Sequence, residues 1–179
     1  MNCWKSVNIS HDYGSSRVHL MSIILGLISF LVLYVPFSMY HGVIEIHENG
    51  IYFFVGFVIL LPFMHRLTHI LLAVILYKKI HVKFKCKNPL IPRLCYKLDS
   101  PLSKFSSIFL ALGPSILLTL PLLIMANIFV GYMPYLMLLA SCNIALSFTD
   151  FIYMHQFFKA PKRCIIEEAK EGYDILIKP

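Results

Sequence analysis

The segment His65-Arg66-Leu67-Thr68-His69 lies inside a long apolar run from Ile51 to Tyr77. Residues four apart on an α-helix sit one above the other, so His65 and His69 present two imidazoles to one point. That is the ligand geometry of the H-E-x-x-H zinc motif. Arg66 occupies the second position, where the motif has the carboxylate that acts as general base. A cation thus stands beside two metal-capable side chains in a run that should avoid charge.

Outward from this segment, the composition sets the class. Of 179 residues, 58% are hydrophobic and 14% charged, which leaves too little polar surface for a soluble domain. A bilayer-spanning helix needs about 20 apolar residues. Four runs reach that length: Leu20–Tyr40, Ile51–Tyr77, Phe105–Val130 and Met133–Phe158. The expectation is an all-α membrane protein, a four-helix transmembrane bundle forming one polytopic domain over residues 1–179. Pro36 is placed to kink or end the first helix.

The net charge of +7 is arranged as a topology signal rather than a nucleic-acid surface. Lys5 and Arg17 precede the first run, and the stretch 41–50 has no Lys or Arg. Eight basic residues, from Lys78 to Lys104, crowd the second connection. The turn at Gly131 and Tyr132 has none, and Lys159, Lys162, Arg163, Lys170 and Lys178 follow the fourth run. This alternation predicts a multi-pass protein of the cell membrane with both termini cytoplasmic. Its partners are the lipid bilayer, met through anionic headgroups, and not nucleic acid.

Between the second and third helices, residues 79–87 alternate with a period of two, placing Ile80, Val82, Phe84 and Cys86 on one face. Asn88 to Pro92 makes a loop, and Arg93 to Leu98 returns. The reading is a small cytoplasmic β-hairpin at about 79–98, packed on helices or headgroups because two strands alone are marginal. Cys3, Cys86, Cys95 and Cys164 face a reducing cytosol and Cys142 lies in a span, so no disulfide framework is expected. The tail reads as one helical turn at Glu167–Lys170 followed by an extended end.

Depth links the unusual residues. His69 is nine residues before Lys78, Asp150 nine before Lys159, and Gly113 nine after Lys104. At 1.5 Å per residue all three lie roughly 13 Å in from the cytoplasmic side. A carboxylate at that depth is costly unless paired or bound. Two His and one Asp form a three-ligand zinc set with a fourth position open. The competing arrangement is a buried Arg66–Asp150 ion pair without metal, although position 66 is rotated about 100° from position 65. Asn143 stands out as possible support for the site, whereas Ser147 and Thr149 read as helix packing. Gly113-Pro114 reads as a close helix contact or kink. In the outer loop, His41, Glu45, His47 and Glu48 can bind metal in principle, but nothing fixes their relative geometry.

His65-x-x-x-His69 in one helix, Gly113-Pro114 in the next, and Asn143 to Asp150 in the last resemble the integral-membrane zincin peptidases. These are bacterial proteins similar in layout to site-two proteases. The resemblance implies His65 and His69 as zinc ligands, Asp150 as the third, and a catalytic glutamate at the position that Arg66 holds. No carboxylate replaces it: Glu45 and Glu48 belong outside, and Glu167, Glu168 and Glu171 follow the last helix. Losing a general base costs a factor of about 10² to 10⁴. The expected function is a zincin-like scaffold, catalytically impaired or non-catalytic, that acts on or binds a membrane protein or peptide. The alternative is a structural or regulatory membrane protein with the Arg66–Asp150 pair and no metal.

Overall fold

A computed structural model describes residues 2–42, 45–76, 80–85, 93–98, 101–169 and 172–177. Three long helices carry the apolar runs: α1 (Ser15–His41), α2 (Gly50–Leu76) and α3 (Lys104–Ile128). Each is long and apolar enough to cross a membrane. No residue of α1 is buried, and it continues through Pro36 to its end. A helix that apolar with its side chains left open is suited to lipid rather than water.

The fourth run differs from the expected single helix. It divides into α4 (Met133–Leu146) and α5 (Phe148–Lys159), which are bent by 48° and count as a fourth span only if taken together. The break has a local cause. The Ser147 hydroxyl donates to the Asn143 carbonyl at 2.9 Å, in competition with its own backbone N–H, which reaches the same oxygen at 3.0 Å. Back-bonding of this kind bends helices. The bend places Asp150 in the first turn of α5, where the helix dipole favours a carboxylate.

The helices pack through small residues. A Cβ on Gly26 of α1 would stand 2.9 Å from the Ala145 Cβ of α4, so these backbones approach closely. Gly113 of α3 lies under the Leu72 side chain of α2, with no room for a Cβ at all. This is the close helix contact expected of the Gly113-Pro114 pair.

Strands from both ends of the chain form one antiparallel sheet. Its order is β1 (Asn2–Val7), β6 (Gly172–Ile177), β5 (Cys164–Ala169) and β4 (Leu102–Ser103). The helical turn expected at Glu167–Lys170 is therefore not there. Glu167, Glu168 and Ala169 pair with Asp174, Tyr173 and Gly172, while Lys170 lies outside the described residues. β-Branched Ile166 and Ile175, both fully buried, anchor the pairing. Within 79–98, β2 (Ile80–Lys85) and β3 (Arg93–Leu98) pair antiparallel with Lys83 opposite Cys95. The loop read at Asn88–Pro92 and the position of Cys86 lie outside the described residues.

The sheet also constrains the path. β1 precedes α1, β4 joins α2 to α3, and β5 follows α5, yet all three share one sheet. The chain therefore returns over α4 and α5 to the side on which it began. The main core lies where this sheet meets the helices, with Val7, Leu102, Ile166 and Ile175 packed on Leu72, Leu110 and Phe157.

Candidate metal centre

His65 and His69 project from one face of α2 toward Asp150 at the start of α5. His65 Nε2 lies 3.1 Å and His69 Nε2 3.3 Å from the same oxygen, Asp150 Oδ2. The three ligand atoms all fall within 4.8 Å of one another. Zinc bonds of about 2.05 Å in tetrahedral array hold neighbouring donors about 3.3 Å apart, so the two N–O separations match such a set. The side chains are largely enclosed, with 10%, 12% and 18% of His65, His69 and Asp150 exposed.

The outer edges of the rings decide what their inner edges carry. His69 Nδ1 lies 3.1 Å from the Leu110 carbonyl, which only accepts, so Nδ1 holds a proton and donates it. Asn143 treats His65 likewise. Its amide nitrogen donates to the Pro114 carbonyl at 3.2 Å and to Thr119 Oγ1 at 3.0 Å. Its oxygen is left to accept from His65 Nδ1 at 3.1 Å. Both neutral rings therefore aim an Nε2 lone pair at a carboxylate oxygen. Lone pairs at such range repel unless a positive charge or a proton lies between them; a single proton, on one ring or on the carboxyl, relieves one contact, whereas a metal ion or a proton on each ring relieves both. Two imidazoliums on one carboxylate would leave net charge in an apolar enclosure, which is costly. A divalent cation suits this donor set, and zinc suits its N and O atoms.

The expected alternative, an Arg66–Asp150 pair, does not form. Arg66 is exposed, and among the described residues the ionic partners of Asp150 are the two histidines. The helical period accounts for this, since a step of about 100° turns position 66 off the face that carries 65. Asn143 and Pro114 do lie at the site, through the amide just described, and Gly113 lets α3 come close enough to supply Leu110. Thr119 and the Leu110 carbonyl were not singled out by the sequence. A cavity of about 70 Å³ adjoins the cluster, bounded by His69, Asp150, Ser107, Tyr153 and Tyr173. Tyr153 is three residues after Asp150, which was the available signal that both line one side of a helix. In the connection between α1 and α2, His41 Nε2 bonds Asn127 Oδ1 at 2.9 Å instead, and His47 packs on Tyr132 with ring centroids 5.0 Å apart.

A helical chain with three helices fit to cross a membrane, a bent fourth and an enclosed His–His–Asp cluster between them defines a candidate membrane metalloprotein. The chain belongs to the family described as "putative zincin peptidase", which it matches over residues 58–165, a range containing the whole cluster. No curated protein and no solved structure matches it.

Proposed function

We propose that this chain is a membrane-embedded zincin scaffold that holds zinc between His65, His69 and Asp150. We further propose that it engages a membrane protein or peptide there without the base that hydrolysis requires. The observation that carries this reading is the pair of Nε2 atoms facing one Asp150 oxygen while both Nδ1 atoms are committed elsewhere. When bound, zinc supplies Lewis-acid polarisation of a carbonyl or a water. His65 and His69 contribute neutral lone pairs, and Asp150 contributes charge and closes the triangle. Arg66 stands at the base position and has no lone pair with which to take a proton. Asp150 Oδ2 is already shared between two rings, so it is not free to serve as that base.

Membrane embedding is supported by the three apolar helices and by the return of the chain to its starting side, which fits four crossings with α4–α5 as one bent span. From the basic connections we infer that both termini and the sheet lie on the cytoplasmic side.

The test has two arms on detergent-purified protein. Elemental analysis should find about one zinc per chain, the ratio of a single three-ligand site; protein free of zinc after purification in zinc-supplemented buffer would sink the metal reading. Hydrolysis of a model membrane peptide should be at background in the wild type. Restoring the base by Arg66→Glu should raise it by about 10² to 10⁴. A wild-type rate equal to that of Arg66→Glu would overturn the non-hydrolytic part.

A further inference from the structure

Each backbone N–H of an α-helix donates to the carbonyl four residues earlier. Pro114 has no N–H, so the carbonyl of Leu110 loses its donor although α3 runs on unbroken from Lys104 to Ile128. Leu110 is buried, and a buried carbonyl needs a partner. It accepts from His69 Nδ1 at 3.1 Å. We propose that Pro114 is a positioning residue of the metal site. By deleting one backbone donor it commits the Leu110 carbonyl to His69, which fixes that ring as the Nδ1–H tautomer with Nε2 open toward Asp150. The inference rests on the zinc reading above for its effect on metal affinity, but not for its effect on the ring.

The Leu110 carbonyl is what favours that tautomer. Among the described residues the other hydrogen-bond partner of the His69 ring is Asp150, 3.3 Å from Nε2, and a carboxylate alone would draw a proton onto Nε2 and close the lone pair to metal. An acceptor on the far side of the ring reverses this choice, and removing such a partner typically weakens metal binding 10- to 100-fold, or about that range. α3 also contains its own control. Pro121 is exposed, and the carbonyl it frees, that of Leu117, belongs to an exposed residue and meets no imidazole among the described residues. Both prolines interrupt the same helix, yet one of them faces a histidine.

The experiment uses the full chain in detergent and titrates zinc against a competing chelator. Pro114→Ala returns an N–H that competes for the Leu110 carbonyl and should weaken zinc by up to about 10-fold at unchanged stoichiometry, the lower end of the loss seen when such a partner is removed outright. Pro121→Ala should leave the affinity at the wild-type value. Placing an α-hydroxy acid at position 114 gives a backbone ester, which also lacks N–H but has no ring, and it should bind zinc as the wild type does. In metal-free protein, imidazole ¹⁵N spectra should show His69 as Nδ1–H in the wild type and a mixture in Pro114→Ala. Wild-type affinity in Pro114→Ala, or an ester variant as weak as the alanine, would overturn the proposal. If Pro114→Ala fails to fold, the ester variant decides. If the wild type takes up no zinc, the zinc reading fails, and the ¹⁵N spectra still decide whether Pro114 sets the tautomer.

Discussion

Among the described residues, the metal-capable side chains of α2 and α5 converge and those of the connection between α1 and α2 do not. At the inner site, enclosed between the helices, His65 and His69 gather on a single oxygen of Asp150. At the more exposed connection between α1 and α2, the outer group here, His41 turns to Asn127 and His47 lies against Tyr132 and Gly131. The residue types are alike, so the contrast lies in what holds the back of each ring. Inside, the Asn143 amide oxygen occupies the Nδ1 of His65 and the Leu110 carbonyl that of His69, which leaves each Nε2 pointing inward. Outside, the ring nitrogen of His41 and the face of His47 are themselves spent on packing the loop. A metal site needs its ligands held from behind as much as it needs the ligands.

The strongest way to break the comparison is to remove the group on which the inner histidines meet. Asp150→Ala takes away the shared oxygen and leaves two lone pairs with no anionic partner. Zinc affinity should fall by more than about 100-fold, the upper end of losses seen when a supporting group rather than a ligand is removed. Elemental analysis after dialysis checks it, and zinc retained at one per chain would move the site elsewhere.

Asn143→Ala is the next test, because Asn143 is fully buried and holds His65 while anchored to Pro114 and Thr119. Its loss should weaken zinc by about 10- to 100-fold with the ligands intact. A Co²⁺ titration followed by its visible absorption separates weaker binding from changed coordination. An unaltered Co²⁺ affinity would show that the back of the ring does not matter, and the comparison would lose its explanation.

How much of this was open to a reading of the chain alone depends on the range of each interaction. The His65–His69 pair and the depth of Asp150 follow from helical rise and from charges that mark helix ends, both local features. The three residues could therefore be picked out together, and in the structure their ligand atoms lie within 4.8 Å of one another. The supports were harder to read. Asn143 was visible as a polar residue in a span, but which atom it would hold depended on the placement of α3. Leu110 contributes a backbone oxygen, so its side chain carries no sign of it; the sign is Pro114, four residues on. The break at Ser147 was missed because a serine in an apolar span reads equally well as helix packing. The terminal sheet was the least readable part, because Asn2 pairs with Ile177 across the entire chain and neither strand is marked by a turn signal of its own. There, long-range pairing of Ile166 and Ile175 outweighed the helical preference of Glu167 and Glu168.

Helix approach offers a smaller effect that sharpens the same contrast. Gly113 brings α3 to α2 so that the inner rings can be reached, whereas Gly56 of α2 has open space around it. Gly113→Ala forces Leu72 aside and should destabilise the protein by about 1–3 kcal/mol, the usual cost of overpacking. Gly56→Ala adds no contact and should stabilise α2 by up to about 1 kcal/mol through helix propensity. Thermal unfolding in detergent measures both. Equal midpoints for the two variants would mean that the α2–α3 approach is not tight, and that Leu110 is not held against His69 by packing.

The smallest expected effect belongs to the outer group, and it is informative because it is small. His41→Ala removes one hydrogen bond, the 2.9 Å contact with Asn127, at an exposed position. Such a bond contributes about 0.5–1.5 kcal/mol, and exposure lets water replace it, so the unfolding midpoint should scarcely move. His47→Ala removes ring packing on Tyr132 and leaves the His47 backbone N–H to the Gly131 carbonyl, 3.1 Å away, in place. Neither change touches an atom of the inner site. Zinc content should therefore stay at the wild-type value in both variants and in the double variant. If instead the double variant lost zinc while Asp150→Ala kept it, the two groups would exchange roles: the outer connection would be the metal site, and the inner cluster a hydrogen-bonded network.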